Sequence, residues 1–349
     1  MKRLKKLTIL SSFSGAGGMD LGFECSGKFK TLACIESNKT YASTLMQNKG
    51  KIILGTSFLK DSHIENSTVG DFIKGASKHP WIADIDGIIG GPPCQPFSTI
   101  GKRLGKDDPR ASTLTDYIEL IRIIRPSFFL FENVPNLAWQ WSGKVLLELT
   151  EALSFNDEYK IESMVVNAAD YGAFTKRKRL ILIGIKRAKL ADTSSAFFPI
   201  KTHIPQVDYS SLKHGWRTTG DALIDIPSPR TTREDTPTHH VAVNHTTAVI
   251  ERFRKLKAGE QCKIRKRWRL DLNQPSNSLM AGGDGGYVFH IHPTEPRELT
   301  SRECARLQGF PDNFDFCGKP LDVAKQIVNA VPIQLATAMA NAVYGLIRN

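Results

Sequence analysis

The strongest constraint on this chain is the stretch GGPPCQPFS, from Gly90 to Ser98, which follows a short apolar run in which Ile85, Gly87, Ile88 and Ile89 flank Asp86. Pro92, Pro93 and Pro96 fix the backbone and remove amide donors, so neither a helix nor a sheet ladder can run through Cys94. The apolar run before it reads as a buried parallel strand. Cys94 then lies just past that strand's carboxyl end, where open α/β sheets gather their chemistry. A lone cysteine usually fills a core; a thiol held on a stiff loop at such a rim points to a nucleophile.

The flanking sequence repeats the strand-then-loop pattern. Leu7 to Leu10 reads as a first strand, followed by FSGAGGMD from Phe13 to Asp20 and a helix beginning at Leu21 to Phe23. Glycines between a strand and a helix let the backbone approach a ligand. Asp20 stands where a dinucleotide fingerprint needs glycine, which disfavours a nicotinamide cofactor. A second strand, Thr31 to Ile35, delivers Glu36 about 20 residues past the glycines, the spacing at which a carboxylate accepts from ribose hydroxyls. Ile52 to Leu54 reads as a third strand, followed by Gly55, Thr56 and Ser57. Helical spacing over Leu114 to Arg125 stops at Pro126. The strand Phe128 to Phe131 then delivers Glu132, and Glu158 to Val166 and Leu180 to Ile185 are further strands. The expected fold is therefore α/β: a Rossmann-like, doubly wound, mostly parallel sheet that puts Phe13, Glu36, Cys94 and Glu132 on one rim.

A chain of 349 residues exceeds the usual single domain, so a second, smaller domain is expected. The texture changes near Ala191, where prolines multiply and periodicity fades. This places one domain over 1–190 and 322–349, and another over 191–321. The formal net charge of +12 suggests a polyanionic partner. Its densest source is Arg252 to Arg269, which includes Lys263, Arg265, Lys266, Arg267 and Arg269 and reads as a phosphate-tracking stripe. Lys102 and Arg103, in the polar segment after Cys94, read as a basic loop able to close on a nucleic acid backbone. The six cysteines lack zinc-ligand spacing and read as reduced and intracellular, with no metal site. His239, His240, His245, His290 and His292 read as polar loop residues. The basic start MKRLKKLTILSSF has too short an apolar part for a signal peptide, and no apolar run reads as a membrane span. A cytoplasmic, nucleoid-associated protein is expected.

GPPCQPFS with ENVP downstream, from Glu132 to Pro135, resembles the catalytic motifs of the C5 cytosine DNA methyltransferases, and other motifs of that family follow in its order. The resemblance implies that S-adenosylmethionine is held by Phe13, Gly15, Gly17, Gly18, Glu36, Thr56, Ser57, Pro93, Leu114, Asn329 and Val331. Thr56 and Ser57 stand where the family usually has an aspartate. FTKRKR resembles the family's Gln-x-Arg-x-Arg element and puts Arg177 and Arg179 toward the base carbonyl and its phosphate, with Thr175 replacing the glutamine. Ser278 takes the threonine position of the recognition loop, and Ser98 joins the DNA contacts. RELTSRECARLQGFP, from Arg297 to Pro311, matches a motif that packs the recognition domain. A final helix from Gln326 onward returns to the first domain.

The implied reaction adds a Cys94 thiolate to carbon 6 of a flipped cytosine in duplex DNA while Glu132 donates to ring nitrogen 3, and the methyl group goes to carbon 5. Glu132 must carry a proton to donate, so burial among Phe128 to Phe131 is expected to raise its pKa. The expectation is a monomeric enzyme of the bacterial restriction-modification type, encoded alongside a cognate endonuclease. Two alternatives remain: a tRNA cytosine-5 methyltransferase of the same fold, and a catalytically silent DNA-binding relative.

Overall fold

The structure is a computed structural model that describes residues 5–93, 112–191, 196–205, 214–229, 237–264, 267–281 and 287–347. The expected positions Cys94, Ser98, Lys102, Arg103, Arg265 and Lys266 lie outside the described residues. The chain separates into two compact units, one of Met1–Val166, Lys178–Pro199 and Ala336–Asn349, the other of Asn167–Arg177 and Ile200–Leu335.

The first unit is built on a seven-stranded sheet. In chain order its strands are β1 (Leu7–Ser12), β2 (Phe29–Ile35), β3 (His63–Glu65), β4 (Gly87–Gly90), β5 (Phe128–Asn133), β6 (Tyr159–Asn167) and β7 (Lys178–Lys186). Their spatial order is β3-β2-β1-β4-β5-β7-β6. β1 pairs in parallel with both β2 and β4, β4 with β5, and β2 with β3, whereas β7 runs antiparallel to β5. The chain winds outward from β1 through β2 to β3, then returns to β4 on β1's other side. This reversal is the switch point at which doubly wound sheets open a crevice. Helices α1 (Gly18–Cys25), α2 (Lys39–Asn48), α3 (Val69–Lys74), α4 (Ser112–Ile124) and α5 (Lys144–Ser154) connect the strands.

Central strands buried on both faces must be apolar throughout, and Phe128, Phe129, Leu130 and Phe131 of β5 are all buried. Close packing leaves β4 room only for glycine at two positions. A Cβ on Gly87 would stand 2.0 Å from the Phe128 ring, and one on Gly90 would stand 2.4 Å from Ser12 Oγ.

Several sequence expectations are corrected here. Ile52 to Leu54 is not in the sheet: Ile52–Ile53 forms a hairpin with Thr56–Ser57, turning at Leu54 and Gly55, both at positive φ. The third sheet strand is instead His63–Glu65, too short and polar to show periodicity. The final helix is two, α9 (Pro320–Asn329) and α10 (Ile333–Leu346) in full chain order, because Pro332 interrupts the backbone hydrogen bonding between them. The segment Pro320–Leu346 does have the length and hydropathy of a membrane span, with 56% of its most apolar window buried inside the protein, as a core helix has.

The second unit contains α6 (Thr219–Leu223), α7 (Thr247–Arg254), α8 (Ser301–Leu307), α9 and short two-residue strands. Residues 167–177 belong to it because Thr175–Lys176 pairs with Ser276–Asn277, and Asp170 accepts from Trp216 and Lys201. Asn329 and Val331 lie in this unit too, since the Gln308 side-chain amide donates to Ile327 O and Ala330 O. The division thus falls at 199/200 and 335/336, where 190/191 and 321/322 were expected.

Candidate active site

The glycine loop leaves β1 under strain. Phe13 has φ 54°, a left-handed conformation that costs a bulky residue on the order of 1–3 kcal/mol. Gly15 and Gly17 also have positive φ, at 58° and 81°. A Cβ on Gly15 would meet no atom within 4 Å, so this loop faces open space, whereas one on Gly17 would stand 2.8 Å from Leu45 and 2.9 Å from Phe58. Gly18 is buried as the first residue of α1. Glu36 closes the loop, its two oxygens accepting from Gly15 N at 2.8 Å and Asn38 N at 2.7 Å. Burial raises its pKa, against the lowering effect of those amides. An open glycine cradle with a rim carboxylate fits a nucleoside-bearing cofactor.

Beneath the loop lie two carboxyls that sequence reasoning gave no role. Asp20 is fully buried, and burial pushes its pKa up to about 6. Glu24 is pushed up to about 7 by the same cause while it accepts from Thr31 N and Leu59 N. The latter bond fastens α1 to the segment that carries Phe58. Thr56 and Ser57 stand two residues or fewer before that ring, with Ser57 Oγ donating to Gly50 O at 3.4 Å.

Beside β1, the chain leaves β4 through Gly91, Pro92 and Pro93 toward Cys94. The antiparallel register sets Glu132 opposite Ile181, so Arg179, two residues earlier on β7, projects from the same face as Glu132. Arg179 Nε lies 2.6 Å from Glu132 Oε1, and both side chains are 12% exposed. The other oxygen, Oε2, lies over Gly91, where a Cβ would come within 2.7 Å of it. Glu132 is therefore ion-paired rather than enclosed by the phenylalanines alone. Asn133 Nδ2 donates to Pro92 O at 2.9 Å and its Oδ1 accepts from Val134 N, which ties the cysteine loop to β5. Asn133 lies within ENVP, and its role is set by burial beside the rim, which only the fold determines. Leu114 sits in the first turn of α4 and packs on the sheet core, and Pro93 is exposed.

The second unit treats its expected site residues differently. Arg177 is 2% exposed, and its guanidinium donates to Leu279 O and Val328 O. It braces Ser278–Leu279 and the end of α9 from inside the unit. Thr175 is buried as well, its hydroxyl donating to Ser276 O and Asn277 O. Ser278 O accepts from His290 Nε2, Asn329 is exposed at the end of α9, and Val331 is buried.

The expected phosphate stripe is corrected at two positions. Arg269 donates to Phe253 O, Leu256 O, Pro293 O and Thr294 O, and Arg267 is buried in an ion pair with Glu298. Arg267 is buried and Arg269 half-buried, and both spend their donors on partners within the unit. Lys263 remains exposed. The histidines lie in loops as expected, and the structure adds that His240, His290 and His292 are buried, with burial lowering His290 to about 4. In RELTSREC, Thr300 and Glu303 form a capping box on α8, Arg297 bonds both Glu303 oxygens, and Arg302 donates to Thr238 O, Pro311 O and Phe314 O. These are packing roles.

Residues 7–345 match the family model described as C-5 cytosine-specific DNA methylase. Among curated proteins, the chain is 34% identical to the Type II methyltransferase M1.HphI of Haemophilus parahaemolyticus over 97% of this chain and 86% of that protein. It is 33% identical to the Type II methyltransferase M.NgoPII of Neisseria gonorrhoeae, over 97% of this chain and 95% of that protein. Among solved structures, a prophage-encoded E. coli protein assigned as a DNA modification methyltransferase superposes with a TM-score of 0.74 at 28% identity, covering 98% of this chain and 99% of that one. DNMT2 of Spodoptera frugiperda shares the fold with a TM-score of 0.66 at 15% identity, covering 97% of this chain and 100% of that one. With its strand order, its GPPC and ENVP loops and a family match across almost its whole length, the chain belongs to the C-5 cytosine-specific DNA methylase family and is a DNA (cytosine-5-)-methyltransferase.

Proposed function

We propose that this enzyme methylates carbon 5 of a cytosine flipped out of duplex DNA at a specific sequence, as a Type II restriction-modification methyltransferase with Cys94 as its nucleophile. The observation that carries the reading is the Glu132 carboxylate, braced by Arg179 through Oε1 while Oε2 overhangs Gly91, three residues before Cys94. We assign S-adenosylmethionine to the open glycine cradle, with Phe13, Gly15, Gly17, Gly18 and Glu36 as its principal contacts and Thr56, Ser57, Pro93, Leu114, Asn329 and Val331 contributing. When bound, it supplies an electrophilic methyl group.

The first unit then carries the chemistry and the second reads the target. Cys94 adds its thiolate sulfur to carbon 6, which moves an electron pair toward carbon 5, and Glu132, taking up a proton from solvent on Oε2 as the base enters, donates it to ring nitrogen 3. A water takes the carbon 5 proton, Cys94 leaves as thiolate, and the nitrogen 3 proton returns to Glu132, which restores the ring. Arg179 holds Glu132 on the cytosine edge, and Asn133 holds the loop leading to the sulfur. Extruding the base costs a few kcal/mol, which phosphate contacts by the basic second unit offset. Ser98, Lys102, Arg103, Arg265, Lys266 and Ser278 remain the DNA contacts of this reading. We further read the enzyme as a monomer working at the nucleoid beside a cognate endonuclease. Bisulfite sequencing of plasmid from cells expressing the protein tests this directly. One cytosine context converted to a protected base supports it; full conversion everywhere, with methyl transfer to tRNA in a parallel assay, replaces it.

A further inference from the structure

Most described arginines of the second unit are engaged by protein acceptors: Arg177, Arg267, Arg269, Arg297, Arg302 and Arg306 each bond carbonyls or carboxylates. Arg217 is not, yet it is held in place. Its guanidinium carbon lies 3.9 Å from the centre of the Phe174 ring, a stacked cation–π contact, and the side chain is exposed. The backbone is pinned on both sides. Trp216 donates its indole N–H to Asp170 Oδ1 and its amide to Ile204 O, and Thr218 caps α6 in a capping box with Asp221. Both nearby carboxylates are thereby occupied, Asp170 by Trp216 and Lys201, and Asp221 by Thr218 N. Among the described residues the Arg217 guanidinium has no hydrogen-bond acceptor.

The platform is as fixed as the cation. Phe174 is buried, and its carbonyl accepts from Ser276 N, which joins it to the segment leading into Ser278. A guanidinium held over a ring presents its planar fork of donors from a fixed point, an arrangement suited to a planar pair of oxygen or nitrogen acceptors.

We propose that Arg217, stacked on Phe174, contacts the target DNA through a bidentate acceptor pair, either the O6/N7 edge of a guanine or a phosphate. This rests on the reading that the enzyme acts on duplex DNA. A stacked, planar guanidinium loses little freedom on binding, whereas an ammonium on a flexible stem cannot reproduce its geometry.

Arg217→Lys keeps the charge and removes the planar fork; Arg217→Ala removes both. Full-length variants, checked for native thermal melting, are compared by bisulfite sequencing of plasmid and by the salt dependence of duplex binding. If Arg217 reads a base, both variants lose roughly 10- to 100-fold preference at one base pair, and the salt slope stays unchanged for Lys. If it holds a phosphate, preference is kept and the slope for Ala falls by about one. Unchanged preference together with an unchanged slope for Ala overturns the proposal; if Ala fails to fold, Lys with unchanged preference and unchanged affinity does so. Binding is read without methyl transfer. An inert wild-type enzyme would therefore overturn the catalytic reading while the binding arm still decides the role of Arg217.

Discussion

Arg179 and Arg177 stand two residues apart in one basic run and end in opposite situations. Arg179 leaves β7 onto a carboxylate at the rim, 12% exposed beside the cysteine loop; Arg177 is buried, bracing carbonyls of the second unit. The contrast repeats on a larger scale. At the rim of the sheet the charged side chains pair beside the cysteine and glycine loops, whereas in the basic segment Arg267 and Arg269 bond carboxylate and carbonyls of their own unit. A count of positive charges thus says how basic a surface is. It does not say which cations are available to a ligand.

Five substitutions and one pH profile test this contrast, from the largest expected effect to the smallest. Cys94→Ala should lower turnover by roughly 10⁴-fold or more while DNA affinity stays within about tenfold; retained turnover in a methyl-transfer assay removes the nucleophile from the rim. Glu132→Gln should lower the chemical rate by about 10²- to 10⁴-fold. Gly91→Ala should approach that loss, because its methyl group would displace Oε2. A change in cofactor affinity alone, read by isothermal titration, would make Glu132 structural.

The inward cations should behave in the opposite way. Arg269→Ala should destabilise the protein by about 2–4 kcal/mol, since it abandons four backbone carbonyls, and leave the salt slope of DNA binding unchanged. Lys263→Glu should flatten the slope with little loss of stability. The reverse pattern would return Arg269 to the phosphate-contacting set.

The smallest effect on methyl transfer accompanies the pH dependence of stability, which concerns the buried carboxyls beneath the glycine loop. The folded-state values of Asp20 and Glu24, about 6 and about 7, lie above their unfolded values of 3.8 and 4.5. The folded state therefore binds more protons between these limits. The contribution is full below about pH 4 and falls as pH rises through 6 and 7, by about 3 kcal/mol per group. Urea denaturation midpoints at pH 5 and pH 8 measure it. Glu24→Gln should flatten the profile, and an equally steep profile in that variant assigns the dependence elsewhere.

The sheet and rim were legible because each signal was local. Period and proline placement give strand ends, and parallel strands must share a rim, so Glu36 and Glu132 follow from spacing alone. What escaped depends on partners distant in sequence. His63–Glu65 has too few residues for periodicity, and the helix break at Pro332 was obscured by an apolar face that runs on from Ile327 to Leu346. The histidines near the recognition loop look polar in sequence and are buried, because the partners that satisfy them, such as Ser278 O and Thr300 Oγ1, are fixed only by the fold. Arg217 carries no motif at all. Its environment comes from Phe174 and Asp170, more than 40 residues away in sequence.

The measurement closest to the central claim is covalent capture. Duplex oligonucleotides carrying 5-fluorocytosine in the methylated context block loss of the carbon 5 substituent, so a sulfur–carbon 6 bond, once formed and followed by methyl transfer, cannot be released. With S-adenosylmethionine present, the account predicts a denaturant-resistant protein–DNA complex that is absent in Cys94→Ala. A methylating enzyme that leaves no such complex, alongside a control enzyme that traps normally, would contradict it.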